Sequence, residues 1–283
     1  MKAVTITMAA AAAITMTALA ASALAAGGAL DHQTVTLCRP YQVSVINGYV
    51  ARNDVFRPSP QSPPAQECIT STIAYPSFQI TKITARSRQS VAYPSIYYGC
   101  QYGRCSQHSA LPAIVTNLPH LALSACYDYP PLGKWNVGTD MWFTRARQVT
   151  GHPLGAEMML WFATRGFGPR RGHHVTIDHA RWLVYEWVTN SGGATIHKWP
   201  LIIFRKVTPI RSRGCAWRLP LAPFIRYAET RRWMTRTMWL ESLNVGFELW
   251  DYALSDGQMK LTWLRIWPRG TTRPPAIQPG GGT

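Results

Sequence analysis

The sequence predicts an all-β protein carrying one helix, and three observations lead there. Proline and glycine are plentiful, with 21 of each in 283 residues. Aromatic and β-branched runs fill the intervals between them, which is the composition of many short strands joined by tight turns. One segment, Pro223 to Leu240, lacks internal Pro and Gly and is rich in Arg, Met, Ala and Glu, so it reads as the substantial helix.

Taken in order, the chain opens on a targeting pattern. Lys2 supplies a positive start, Ala9 to Ala21 an apolar centre and Ala23-Leu24-Ala25 a small-residue cleavage site, so residues 1–25 are expected to be a signal peptide. The apolar run falls short of the roughly 20 residues of a membrane span and dissolves at Gly27-Gly28. A secreted protein without stable membrane insertion is expected. Residues 26–37 read as a flexible lead-in, 38–265 as the folded domain and 266–283 as a Pro/Gly-rich tail. Within the domain, strands are expected over 42–51, 68–73, 77–86, 114–117, 121–129, 136–144, 156–163, 182–189 and 198–205, with a surface loop at Pro58–Pro64. On the helix, Phe224, Tyr227, Ala228, Met234 and Met238 form the apolar side, and Arg226, Arg231, Arg232 and Arg236 the polar side.

Six cysteines in an exported chain suggest disulfides. Cys100 and Cys105 enclose only four residues, which favours their pairing, and Cys38 and Cys68 flank an expected hairpin. Cys126 and Cys215 remain as a third bridge or as two buried thiols. No paired C-x-x-C spacing points to zinc. The formal charge of +16 raises anionic partners such as nucleic acid or cell-surface polymers. The basic residues are scattered, however, with clusters only at Arg170-Arg171 and Arg231-Arg232. No nucleic-acid-binding motif accompanies them, so a basic surface is the reading, with no nucleic-acid partner.

Carboxylates inside apolar strands carry the functional signal, because a bare buried charge must be paired, protonated or put to use. Side chains alternate along a strand. Glu157, Met159 and Trp161 therefore share one face, as do Asn244, Gly246, Glu248 and Trp250, and Asn136, Gly138, Asp140 and Trp142. Two such carboxylates facing one cleft are the minimum equipment for cleaving a glycosidic bond. The pattern alone does not rank Glu157 above Glu186, which sits in the similar run Trp182-Leu183-Val184-Tyr185-Glu186-Trp187. His173, His174 and His179 read as loop and strand-edge residues.

At these residues the chain resembles glycoside hydrolase family 12, the compact endo-β-1,4-glucanases. The matching runs are Glu157-Met158-Met159-Leu160-Trp161-Phe162, Gly246-Phe247-Glu248-Leu249-Trp250 and Trp135-Asn136-Val137-Gly138-Thr139-Asp140-Met141-Trp142. The segment Tyr93 to Cys105 and the pair Cys38 and Cys68 also match bacterial members. The resemblance implies a jelly-roll β-sandwich of two antiparallel sheets with one packed α-helix and an open cleft. It implies a retaining double displacement in which Glu157 is the nucleophile, Glu248 the acid/base and Asp140 a hydrogen-bond partner of Glu157, without metal or cofactor. Asn53, Phe56, Asn136, Met159, Trp161 and Phe247 are expected to bind substrate, a β-glucan, in a monomeric enzyme. The chain departs from the family at Phe56, where a larger Trp is usual, and at Tyr41; Cys126 and Cys215 have no counterpart. Two other readings stay open: a carbohydrate-binding jelly roll with weak or lost catalysis, and a basic protein binding anionic cell-surface polymer.

Overall fold

Asn47 and Gly48 show how local chemistry shapes the start of the domain. Both have positive φ (42° and 81°), the conformation of a two-residue hairpin turn. The segment 42–51, expected as a single strand, is therefore a hairpin in the computed structural model. The structure describes residues 33–56, 66–87, 89–147, 154–166, 168, 171–190 and 198–268. The expected signal peptide, most of the lead-in, the Pro58–Pro64 loop, Arg170 and most of the tail lie outside the described residues.

The strands are β1 (Thr34–Leu37), β2 (Gln42–Ile46), β3 (Tyr49–Asn53), β4 (Gln66–Thr72), β5 (Phe78–Arg86), β6 (Ser95–Gln101), β7 (Arg104–Cys105) and β8 (Ala113–Ile114). They continue as β9 (Ala122–Asp128), β10 (Lys134–Thr144), β11 (Ala156–Arg165), β12 (His173–Ile177), β13 (Ala180–Asn190), β14 (Lys198–Lys206), β15 (Gly214–Pro220) and β16 (Trp239–Trp267). One sheet runs β2-β3-β6-β16-β10-β11-β14-β13-β12, and the other β1-β4-β5-β16-β9-β15. The pairing is antiparallel except between β11 and β14, which run parallel. This is the expected jelly-roll sandwich with two sheets and, among the described residues, one α-helix. The 29-residue β16 is central to both sheets: its first half pairs with β10 and β6, its second with β5 and β9.

Between the sheets lies one apolar core, in which Phe247 meets Phe78 and Tyr127 edge-on at 5.9 and 5.8 Å. Such aromatic pairs add to the stabilisation that burial provides. Besides the 42–51 hairpin, three expected segments differ. Thr34–Leu37, read as lead-in, is a strand paired with β4. The segment 114–117 is mostly a 3-10 turn, Val115–Asn117. The helix, α1, covers only Ala222–Thr230 rather than Pro223–Leu240. Arg232 takes a φ of 61°, closing the helix, and Met238 N–H bonds to Thr235 C=O in a turn before β16 begins. Met234 and Met238 are still buried, so apolar spacing persisted without helical backbone. Phe224 of α1 packs on Trp182 and Phe204 at 4.9 and 5.2 Å.

Disulfides join Cys38–Cys68, Cys100–Cys105 and Cys126–Cys215. The third bridge, left open by the sequence, ties the edge strand β15 to β9 at their paired positions.

Candidate active site

Alternation within three adjacent strands places the carboxylates. On β16, Val245, Phe247 and Leu249 enter the core, so Asn244, Gly246 and Glu248 face the other way. On β10, Val137 and Met141 enter the core and Asn136, Gly138 and Asp140 face out; on β11, Met158, Leu160 and Phe162 are core and Glu157, Met159 and Trp161 face out. The ladder sets Asp140 opposite Met159 and Asn244, Trp142 opposite Glu157, and Asn136 opposite Glu248. The floor of this face is a second apolar cluster of Tyr93, Met159, Trp161, Tyr185, Leu201 and Ile203, with Phe56 and Leu183 packed against it.

Gly138 and Gly246 sit opposite each other in the floor. A Cβ on Gly138 would lie 2.0 Å from the Leu160 carbonyl oxygen, and one on Gly246 2.0 Å from that of Pro94, so only glycine fits either position. Beside them the Tyr93 hydroxyl donates to the Gly138 carbonyl at 3.4 Å, and its phenol feels all three carboxylates.

Each carboxylate has its own partner. Trp199 Nε1 donates to Glu157 Oε2 at 2.6 Å, and Asn136 Nδ2 donates to Glu248 Oε2 at 2.7 Å. Asp140 Oδ2 accepts from Trp142 Nε1. The expected hydrogen bond from Asp140 to Glu157 is thus replaced by one from Trp142, and Asp140 Oδ1 is buried without a hydrogen-bond partner among the described residues.

Burial pushes all three groups upward, since a low-dielectric setting penalises the charged form. Glu157 rises to about 7 through burial and repulsion from Glu248, with the Trp199 bond opposing. Glu248 also rises to about 7 through burial, opposed by Asn136 and Ser90. Asp140 lies well above the usual carboxylate range, through burial and then through Glu157. Near neutrality such a cluster holds protons as well as charge, so an acid and a base are available on one face.

The structure sorts the expected binding residues. Phe56 and Met159 belong to the cleft floor. Asn136 is buried and spends its amide on Glu248, so it orients that carboxylate. Trp161 is 2% exposed and packed edge-on against Trp250, so it supports the floor and offers no ring face to a sugar. Phe247 is a correction: at 0% exposure it sits in the inter-sheet core, because its neighbour Glu248 takes the cleft side. Asn53 is another, since it is buried and its Nδ2 donates to the Arg39 and Glu67 carbonyls. Glu186 falls outside the site altogether, in a two-bond ion pair with Arg231 at the end of α1. The sequence reading did not find Trp199 or the partner role of Trp142. Trp199 reaches Glu157 from β14, a contact that only the parallel β11–β14 pairing creates.

No family model matches the sequence, and no curated protein matches it. Solved structures do. A metagenome-derived glycoside hydrolase family 12 endoglucanase aligns with a TM-score of 0.71 at 27% identity, over 84% of this chain and 98% of that one. An endoglucanase from Rhodothermus marinus aligns at 0.69 and 26%, over 82% and 99%. A family 12 xyloglucanase from Bacillus licheniformis aligns at 0.70 and 19%, over 82% and 98%, a likeness of fold. The β-sandwich architecture and these alignments agree that the chain has the fold of the family 12 glycoside hydrolases.

Proposed function

We propose that the chain is a secreted, retaining endo-β-glucanase acting on β-1,4-linked glucan. The observation that carries this reading is the trio Glu157, Glu248 and Asp140, brought onto one cleft face by three neighbouring strands, with Glu157 and Glu248 both shifted to about 7. Ionised Glu157 attacks the anomeric carbon while protonated Glu248 gives its proton to the leaving oxygen, forming a glycosyl ester on Glu157. Glu248, now ionised, takes a proton from water, which hydrolyses the ester and restores both groups.

Surrounding residues fit this division. Trp199 donates to Glu157, favouring its charged form, while Asn136 fixes the direction of Glu248. Asp140, held by Trp142 and raised in pKa, is a candidate to keep a proton near Glu157. Endoglucanases and xyloglucanases are the structural relatives, and one relative, the xyloglucanase domain of an effector from Sinorhizobium fredii, was solved with cellobiose, which supports a glucan as the substrate class. Three disulfides suit folding outside the cytosol. The test is reducing-sugar release from carboxymethyl-cellulose and barley β-glucan, with proton NMR of the first anomer formed. Activity that disappears in Glu157→Gln and yields the β-anomer first supports the reading. Activity retained in that variant, or first release of the α-anomer, refutes it.

A further inference from the structure

One end of the cleft differs chemically from the rest. A pocket of about 720 Å³ opens there, lined by Arg39, Arg52 and Arg104, by Tyr41, Tyr97 and Tyr102, and by neutral residues, with no acidic side chain in its lining. Two contacts tie its lining to the carboxylate cluster. Tyr97 pairs with Asn244, which pairs with Asp140, so the two lie on one row of the sheet, two strands apart or about 10 Å. Tyr102, on the Cys100–Cys105 loop, packs edge-on against Trp142 at 5.9 Å, and Trp142 holds Asp140.

The wall of this pocket is built. Arg52 is 5% exposed, ion-paired with Asp54 at 3.0 Å and bonded to Gln101 Oε1 at 2.6 Å. Its guanidinium lies 4.6 Å from the Tyr102 ring centre and 5.5 Å from that of Tyr41, while both rings stay about half exposed, at 46% and 50%. Arg52 is thereby occupied as a rigid spacer between two aromatic platforms. Arg39 and Arg104 are exposed and have no ion pair among the described residues. Aromatic faces suit a pyranose ring, and two uncommitted guanidinium groups suit a planar carboxylate. A neutral glucan would use the rings and leave both cations idle.

We propose that this pocket is a subsite for an anionic sugar, a uronate unit in a β-linked glycan whose neutral units occupy the cleavage point. The proposal rests on the glucanase reading and deepens it. The cluster at Glu157, Glu248 and Asp140 repels a uronate placed over it, whereas the arginine end attracts one. The chain would therefore bind in a single register, with the acidic unit held away from the bond that breaks.

Calorimetry on the whole Glu157→Gln protein, expected to turn over too slowly to consume a probe, tests this. The probes are a neutral β-1,4-gluco-oligosaccharide, the same oligosaccharide with one glucuronate unit, and one with a single sulfate ester. Two partly screened guanidinium contacts correspond to about tenfold tighter binding of the glucuronate probe over the neutral one. That preference should collapse in Arg39→Ala/Arg104→Ala, both exposed positions, and shrink at high salt. Equal binding of neutral and glucuronate probes, or a preference that survives the double substitution, overturns the proposal. Sulfate binding as tight as glucuronate overturns the carboxylate assignment, leaving attraction by charge alone. If the unmodified protein hydrolyses neutral glucan while the glucuronate preference is missing, this inference fails and the glucanase reading stands; if no probe binds and no glucan is cut, both fail.

Discussion

Trp199→Phe isolates how the protein sets the charge of Glu157, the proposed nucleophile. The substitution keeps an aromatic ring on β14 but removes the 2.6 Å bond from the indole to Glu157 Oε2. A hydrogen bond to a charged group is worth about 1.5–3 kcal/mol, and 1.36 kcal/mol corresponds to one pH unit. Glu157 already stands at about 7, with this bond as its chief opposing influence. Its loss should move Glu157 upward by roughly one to two pH units. Since the proposed mechanism requires Glu157 to be ionised, and Glu248 protonated, the acidic limb of the kcat/KM profile shifts up by that amount. At a pH of about 6 the rate then falls roughly 10- to 100-fold, and it recovers in part as the pH rises, until Glu248 loses the proton it must donate. The assay is a pH profile of β-glucan hydrolysis for both proteins, with thermal melting to confirm the fold. A fall by the same factor at every pH, or no fall, would refute the reasoning and leave Trp199 as packing only.

Other outcomes follow from the same geometry. Glu157→Gln should lower kcat by at least about 10³-fold with the melting profile preserved, as expected when a covalent nucleophile is removed. Native Glu157 and Glu248 at about 7 lie above the 4.5 of the free side chain, so the folded state holds more protons between those values. Their contribution is therefore complete below about 4.5 and is lost as the pH rises through 7, and Glu157→Gln/Glu248→Gln should melt higher than the parent at a pH of about 8; an equal or lower melting point there counts against buried, raised carboxylates. Phe247→Ala should destabilise the protein by about 3–5 kcal/mol in denaturant titration, because it empties the contact between the sheets; a change below about 1 kcal/mol would contradict its core position. Cys126→Ser/Cys215→Ser should cost about 2–5 kcal/mol under non-reducing conditions, the bridge closing a separation of 89 residues, and titration of free thiols in the unmodified protein should find none at these positions.

Much of the architecture was legible because period-2 alternation is written directly in the residues. In Val245-Gly246-Phe247-Glu248-Leu249 the same pattern that identifies the strand also assigns Glu248 to the cleft and Phe247 to the core. Reading Phe247 as a binding residue followed the motif and neglected the alternation. The helix was overextended for a related reason: Met234 and Met238 have the spacing and apolar character of a helix face, yet tertiary burial satisfies them in a turn. The Asn47-Gly48 turn was present as a dipeptide with its own backbone preference and was passed over. Trp199 could not be read from local pattern, since its role depends on which strand becomes the neighbour of β11. Long-range strand order is absent from any short window, and partner residues such as Trp199 and Asn136 are where that absence is felt most.

The place of β16 in both sheets carries a consequence for how the protein is made. Among the described residues it is the last strand in chain order, running Trp239–Trp267, and it supplies the middle of each layer. Until synthesis has passed those residues, β5 and β9 lack the strand that joins them, and so do β6 and β10. Neither layer can close around a growing chain, so assembly waits for the end and then proceeds in both layers together. Such a polypeptide stays open until late in its synthesis, and the strand that finally locks it sets Glu248 beside Asn136 in the same event.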